Sequence, residues 1–575
     1  MRYLHEAGKS FAEAHPEAAR YLNIESITDR DPYVERLFEG FAFLAGRIHE
    51  RLDDELPVYT EGLCSLLYPH FLCPVPSMCL VELRPKPGMI QETTVLKRGL
   101  EIRSAPTGDE RAVCQFQTTA AVRLQPMQIG DAGVDWRADG SSSARMRFKF
   151  QRGVDPRKLT LSPLRLYFHG DPATASTMHR FFTQHVARVT VQAEPAGGSA
   201  LLYGQRWVLP GALGADEGLL PYSPGTPQAL RLLQEYLCFR RKFWCVDLDG
   251  LDQLELSSDA EGFAVEIAFD ERFPENRRFN AENVRLHCVP AVNLFTVDAE
   301  PIRVEHLESE YLIVPSVRYR RSQAIYDVQE VVGIEDGTAR RSTYAPFLGF
   351  RENLSSREES TYVIRRRTGP MGRPESYISL SSPSAGDGGS LKSQTLSLRV
   401  RCTNGFLPRE KLHEGMLDRL APDVPQLVQP TNITQPSLIL YPPIDRHEDF
   451  YWRLISHWSF NHASVASREP LVGLLALYDW GEGDANRRRY SGIEDVEWAP
   501  KDIPYRGAVM RGAEVTLRIR DGHFEDGELN LFGIILSNFF SLYATINSFV
   551  HVAIERTPSG KRSEWHPTQG AMPLI

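Results

Sequence analysis

A chain of 575 residues is longer than a single hydrophobic core usually supports, so several domains are expected. Hydrophobic residues make up 42% and charged residues 24%, ordinary values that exclude a disordered or fibrous protein. The 65 Lys and Arg against 74 Asp and Glu leave a formal charge of −9, which excludes a general electrostatic affinity for nucleic acid or anionic lipid.

The opening stretch, MRYLHEAGKSFAEAHPEAARYL, scatters charges along itself and lacks the apolar core of a secretory signal. The cysteines, at 64, 73, 79, 114, 238, 245, 288 and 402, form no C-x-x-C pair. Buried thiols in a reduced, cytosolic protein are therefore expected, not a zinc or redox site. Asp31 fits a helix N-cap, and Pro32 fits the first helical position, where a missing N–H costs nothing. Val34, Leu37, Phe41, Leu44 and Ile48 then recur at steps of three and four, with Phe38, Ala45 and Leu52 widening the stripe. Glu35, Arg36, Glu39, Arg47, Glu50 and Arg51 occupy the other side. Pro57 stops this helix, whose length of about 25 residues spans roughly 37 Å. Such a stripe serves either as a domain's own core helix or as one member of an intermolecular bundle, and its near-heptad spacing allows both. Residues 1–80 thus read as an N-terminal helical segment, running out through Tyr68, Pro69 and His70 to Pro74, Val75 and Pro76.

From Val81 the apolar period changes to two. Residues 145–152, 159–162, 164–168, 189–192, 263–269, 395–400 and 515–519 all read as strands, with a short helix inserted at 228–239. The Gly- and Pro-rich stretch 197–225 reads as a long loop, and 381–390, SSPSAGDGGS, as a flexible hairpin loop or linker. Helix returns near 449–459 and 470–478. The run 531–552, LFGIILSNFFSLYATINSFVHV, carries no formal charge over 22 residues, long enough on length alone to cross a bilayer. Ser537, Asn538, Ser541, Thr545, Asn547 and Ser548 interrupt it, while Phe532, Leu536, Phe539, Tyr543, Ile546 and Val550 form one face. A long apolar helix in a core or an interface is expected, with Phe539 and Tyr543 as the residues that belong to one or the other. The expected class is α+β and multidomain. A helical segment at 1–80 precedes β-rich domains at 81–327 and a C-terminal mixed α/β region at 328–575, which contains the loop 381–390.

A search for chemistry is mostly negative. The chain has no G-x-x-x-x-G-K-[ST], G-x-S-x-G or H-E-x-x-H, and no strand-associated G-x-G-x-x-G. Asp247, Asp249 and Asp252 have a carboxylate rhythm without the terminal Glu of a calcium loop, and 521–527 fails in the same way. His457 and His462 are five apart, off a common helical face, with no third ligand nearby. The triplets at 365–367 and 487–489 read as rims pairing with acidic groups or as solvated faces, not as nucleic-acid sites. No catalytic residue, cofactor or metal is expected. A β-rich hydrolase gathering Asp247, Asp249, His457 and His462 remains the enzymatic alternative. A phage-tail-like adsorption module with aromatics exposed on a β-face is another.

Six segments, in order, carry a resemblance. They are 41–83; LLPYSP at 219–224 with LLQEY at 232–236 and Lys242-Phe243-Trp244; VPAVNLF at 289–295 with AEPI at 299–302; CTN at 402–404 before Leu407-Pro408; WRLISH at 452–457; and YATINSF at 543–549. Together they resemble the TssF family (VasA or ImpG), baseplate subunits of the bacterial type VI secretion system. The resemblance implies a cytoplasmic structural protein, reaching the inner membrane only through other components and without membrane insertion of its own. It implies wedges of two TssF copies with TssG, joined by TssE and TssK around the VgrG hub, that template the contractile sheath. It also assigns the N-terminal helix to a bundle shared by the wedge subunits, with Val34, Leu37, Phe41, Leu44 and Ile48 facing that bundle.

Overall fold

The computed structural model describes residues 36, 39–41, 43, 60–65 and 69–571, apart from 196–197, 224, 306–307, 338–339, 348–359, 370–373, 382–392, 423, 444–449, 457–466, 482 and 506–507. The period-two runs fold into several sheets around three apolar clusters. One six-stranded sheet runs, in spatial order, Leu417–Leu420, Glu101–Ser104, Gln115–Thr118, Cys288–Val292, Met78–Pro85 and Val428–Asn432. The Met78–Pro85 strand is buried at its first six positions, as an inner strand with apolar cover on both faces should be. It pairs antiparallel with Cys288–Val292 on one side and Val428–Asn432 on the other, so distant parts of the chain close a single sheet.

A five-stranded antiparallel sheet is ordered Ser199–Tyr203, Val186–Glu194, Gly262–Phe269, Ser142–Phe150 and Met127–Trp136. A four-stranded sheet beside it joins Val208–Pro210, Cys245–Leu248, Leu164–Phe168 and Val284–Arg285. The eight-stranded sheet centres on Gln394–Thr403, Ala324–Glu335, Arg341–Pro346, Thr361–Thr368 and Pro374–Ser381. Position 327 lies inside its Ala324–Glu335 strand, and the six-stranded sheet draws on residues from both sides of that position.

Most expected strands fall in or largely in observed ones, and the 228–239 helix spans Gln228–Phe239. Residues 159–162 do not form a strand. The Thr160 N–H donates to Thr93 Oγ1 at 2.9 Å, and Pro163, which has no N–H to donate, follows. The expected loop at 197–225 holds two short strands, Ser199–Tyr203 and Val208–Pro210. Residues 382–390 of the expected loop lie outside the described residues, and the strands on either side, Pro374–Ser381 and Gln394–Thr403, are not neighbours in their sheet. The helix Pro172–Gln184 was not expected. Its start carries the same Asp-Pro signature read at 31–32: Asp171 caps it, accepting from the Thr174 N–H at 3.0 Å, and Pro172 opens it.

The apolar run 531–552 is not one long helix. The helix is Asp526–Ser541, and the same run is already strand from Phe549, in Phe549–Thr557. That strand lies parallel to Ala508–Arg520, and parallel neighbours need a crossover, which the helix supplies. The small polar residues after Ser541 make the break: Ser548 N–H donates to Thr545 O at 2.9 Å, closing a turn before the β-branched Val550 and Val552 enter the sheet. The helix is packed against Pro172–Gln184, Gln228–Phe239 and the Phe549–Thr557 strand. Two glycines permit the approach: a Cβ on Gly527 would lie 2.2 Å from the Ser176 backbone, and one on Gly533 would lie 2.1 Å from the Trp565 ring. Among the described residues no helix is long and apolar enough to cross a membrane.

Candidate assembly interface

Of the five stripe residues, Phe41 is described; Val34, Leu37, Leu44 and Ile48 lie outside the described residues. Residues 39–41 are helical, and Phe41 is 58% exposed, belonging to none of the three apolar clusters. Phe43, which the stripe omits, is 66% exposed. Two residues along a helix turn by about 200°, so the two rings leave opposite sides. A helix apolar on more than one side is suited to neighbours on more than one side.

The chain enters the body at residues 60–65, where Cys64 is fully buried and Leu63 faces outward. The turn Pro69–Phe71 then plants Phe71 against Tyr478 and Trp480, at ring separations of 4.9 and 5.7 Å. His70 is buried edge-on to Tyr222 at 5.5 Å, and burial pushes its imidazole down to about 4. A cleft of about 720 Å³ opens between residues 60–65 and the eight-stranded sheet, lined by Leu63, Leu72, Val328, Phe347, Tyr362 and Ile364. Glu61 borders it, its carboxyl raised by burial against the opposing pull of Arg366 and Arg365.

The other segments carrying the resemblance meet as packing joints. Glu235 and Lys242, both 1% exposed, form a buried ion pair. Glu235 also accepts from the Leu219 N–H at 2.7 Å, and Lys242 donates to Glu217 O at 2.8 Å. Burial lowers the Lys242 ammonium despite the attraction of Glu235. This one pair therefore locks LLPYSP, LLQEY and Lys242-Phe243-Trp244 together. Asn293 and Asn404, from two further segments, bind each other: Asn404 N–H donates to Asn293 Oδ1 at 2.6 Å, and Asn293 Nδ2 donates to Asn404 Oδ1 at 2.8 Å. Both also tie down Gln115, through its carbonyl and its N–H. Phe539 is fully buried against Phe540 and Tyr543, and Tyr543 is partly buried on the largest cluster.

Asp247 and Asp249, two of the residues considered for chemistry, are occupied elsewhere. Asp247 receives both Arg165 Nε and Nη2 at 2.7 Å, and Asp249 accepts from the Gly250 N–H. His457 and His462 lie outside the described residues. Arg365 and Arg367 both reach Glu310, at 2.8 and 2.9 Å, while Arg366, alternating to the other face, donates to the carbonyls of Leu72 and Tyr326. Arg489 pairs with Glu528, and Arg488 donates to Gly522 O at 2.6 Å. Periodicity could not reveal the Arg165–Asp247 and Lys242–Glu235 pairs, because their members lie on different elements.

The family described as "Type VI secretion system, TssF" matches residues 1–572. Type VI secretion system component TssF1 of Pseudomonas aeruginosa is 28% identical over 628 aligned residues, covering 100% of this chain and 98% of that protein. A chain of the TssK-TssF-TssG baseplate subcomplex of the type VI secretion system, solved by cryo-electron microscopy, superposes with a TM-score of 0.76 at 31% identity. That match covers 94% of this chain and 100% of the other. A chain of the baseplate complex from the type VI secretion system gives a TM-score of 0.63 at 29% identity, over 100% of this chain and 98% of that one. With the family match spanning 1–572 and the fold shared at 31% identity, the chain belongs to the TssF family of the type VI secretion system.

Proposed function

We propose that this protein is a structural, non-catalytic wedge component of a type VI secretion baseplate. In this reading two copies bind one TssG, TssK and TssE join them, and wedges surround a VgrG hub to template sheath assembly. The observation that carries the reading is the likeness, at 31% identity and a TM-score of 0.76, to a chain of a TssK-TssF-TssG subcomplex. The packing supports it as well, since the segments that carry the resemblance serve as joints between elements and, among the described residues, gather no cluster of metal-ligating groups. The exposed Phe41 and Phe43 supply apolar surface for a helical bundle, to which Val34, Leu37, Leu44 and Ile48 are proposed to contribute. Docking at the cytoplasmic face of the inner membrane would then come through other components.

The test is co-expression with TssG. Changing Leu37 and Phe41 together to Asp abolishes co-purification with TssG while the thermal unfolding midpoint of the variant stays that of the parent. Retained complex with both substitutions contradicts the bundle.

A further inference from the structure

The two edges of the five-stranded sheet are finished differently. The Met127–Trp136 edge carries a bulge between Ile129 and Asp131 and exposes Asp131 and Asp135, devices that keep another strand from adding. The Ser199–Tyr203 edge has neither. Its sequence, SALLY, pairs with Val186–Glu194 in unbroken register, holds no charge, and has no strand on its other side among the described residues. Ala200 and Leu202 point into the core, while Leu201 and Tyr203 stand 48% and 62% exposed. Leu209, 47% exposed, continues this apolar strip into a groove of about 790 Å³ that Leu213, Ile534 and Trp565 help to line.

Two cations frame the strip. Arg188 is the register partner of Tyr203, and its Nε is buried without a hydrogen-bond partner. Arg206 is exposed and stacks over Trp207 at 5.0 Å. No carboxylate pairs with either guanidinium among the described residues.

We propose that this edge receives an extended, acidic-apolar segment of a baseplate partner, which adds to the sheet as a sixth strand. Each part of that description answers a feature of the site. Unpaired main-chain donors and acceptors demand a β-conformation. Leu201, Tyr203 and Leu209 demand apolar side chains at alternate positions. Arg188 and Arg206 demand a carboxylate, and charge complementarity of this kind selects the partner and its register. A second copy of the chain offering the same edge brings no acid, since SALLY contains none. The choice of a baseplate partner rests on the proposed function above.

Hydrogen exchange of the full-length chain, alone and in the complex purified with TssG and TssK, tests this. The amides of Ser199, Leu201 and Tyr203, which point away from the Val186–Glu194 strand, are expected to exchange about tenfold or more slowly in the complex than in the free chain. Replacing Leu201 and Tyr203 with Lys, or Arg188 and Arg206 with Glu, removes that protection; at these exposed Leu201 and Tyr203 positions the thermal midpoint stays unchanged. A complex that forms while these amides exchange as in the free chain overturns the inference and leaves the proposed function standing. Protection that appears in the free chain and rises with its concentration also overturns it, because a second copy then fills the edge. Separate elution of the three proteins overturns both readings.

Discussion

Lys242 and Glu235 show what a single buried charge does in this fold. Each is 1% exposed, and together they hold a loop, a helix and a 3-10 turn, beside the hydrogen bonds that Arg231 donates to the carbonyls of Gly214 and Ala215. Lys242→Met strands the Glu235 carboxylate in the core and is expected to cost about 3–5 kcal/mol, read as a lowered urea midpoint. Changing both residues to apolar ones of similar volume should recover most of that loss; a double variant as unstable as the single one contradicts the assignment. The histidines make a second prediction at this scale. Burial lowers His70, His179 and His287 to about 4, below the unfolded value near 6.5. Protons therefore bind the unfolded chain more tightly. Stability is complete above pH 6.5 and falls as the pH drops toward 4, by up to roughly 3 kcal/mol for each group. His179, whose two ring nitrogens are buried without partners, is the cleanest probe. His179→Leu should flatten the dependence of the urea midpoint on pH between 6.5 and 4, and an unaltered slope would count against this account. Neither the ion pair nor the histidine burial was legible in sequence, since both depend on which elements meet.

At the scale of elements, periodicity was informative where one face of a segment is buried and one is not. Residues 263–269 and 395–400 alternate because the sheets they enter are covered on one side, and Gln228–Phe239 carries a clear apolar face. The 531–552 run misled because its apolar residues serve two consecutive buried elements, a helix and an inner strand. Burial on all sides erases the period that would have marked the boundary, and only the Ser, Thr and Asn residues between them recorded it. The close seating of that helix yields a prediction. Gly527→Val places a side chain against the Ser176 backbone, which has no rotamer with which to yield, and should destabilise by about 1–3 kcal/mol or more. A thermal midpoint equal to that of the parent would show that the helix does not sit so tightly on Pro172–Gln184.

At the scale of the whole molecule, the sheets are built from strands far apart in the chain, which no local signal announces. Met78–Pro85, Cys288–Val292 and Val428–Asn432 lie side by side, so a contiguous division of the sequence does not reproduce the division into sheets. Family kinship was nevertheless legible, because the residues that make the joints are spelled out in short, ordered segments: His70 with Tyr222, Glu235 with Lys242, Asn293 with Asn404. Of the residues proposed to face a bundle, Phe41 alone is described, and it and Phe43 stand clear of the apolar clusters of the described residues. A chain built in this way is an assembly part, and its mass in company is the direct test. Light scattering of the full-length chain co-expressed with TssG should give one species with the mass of two copies of this chain and one TssG. Two separate peaks, each with the mass of its own free protein, would contradict the account.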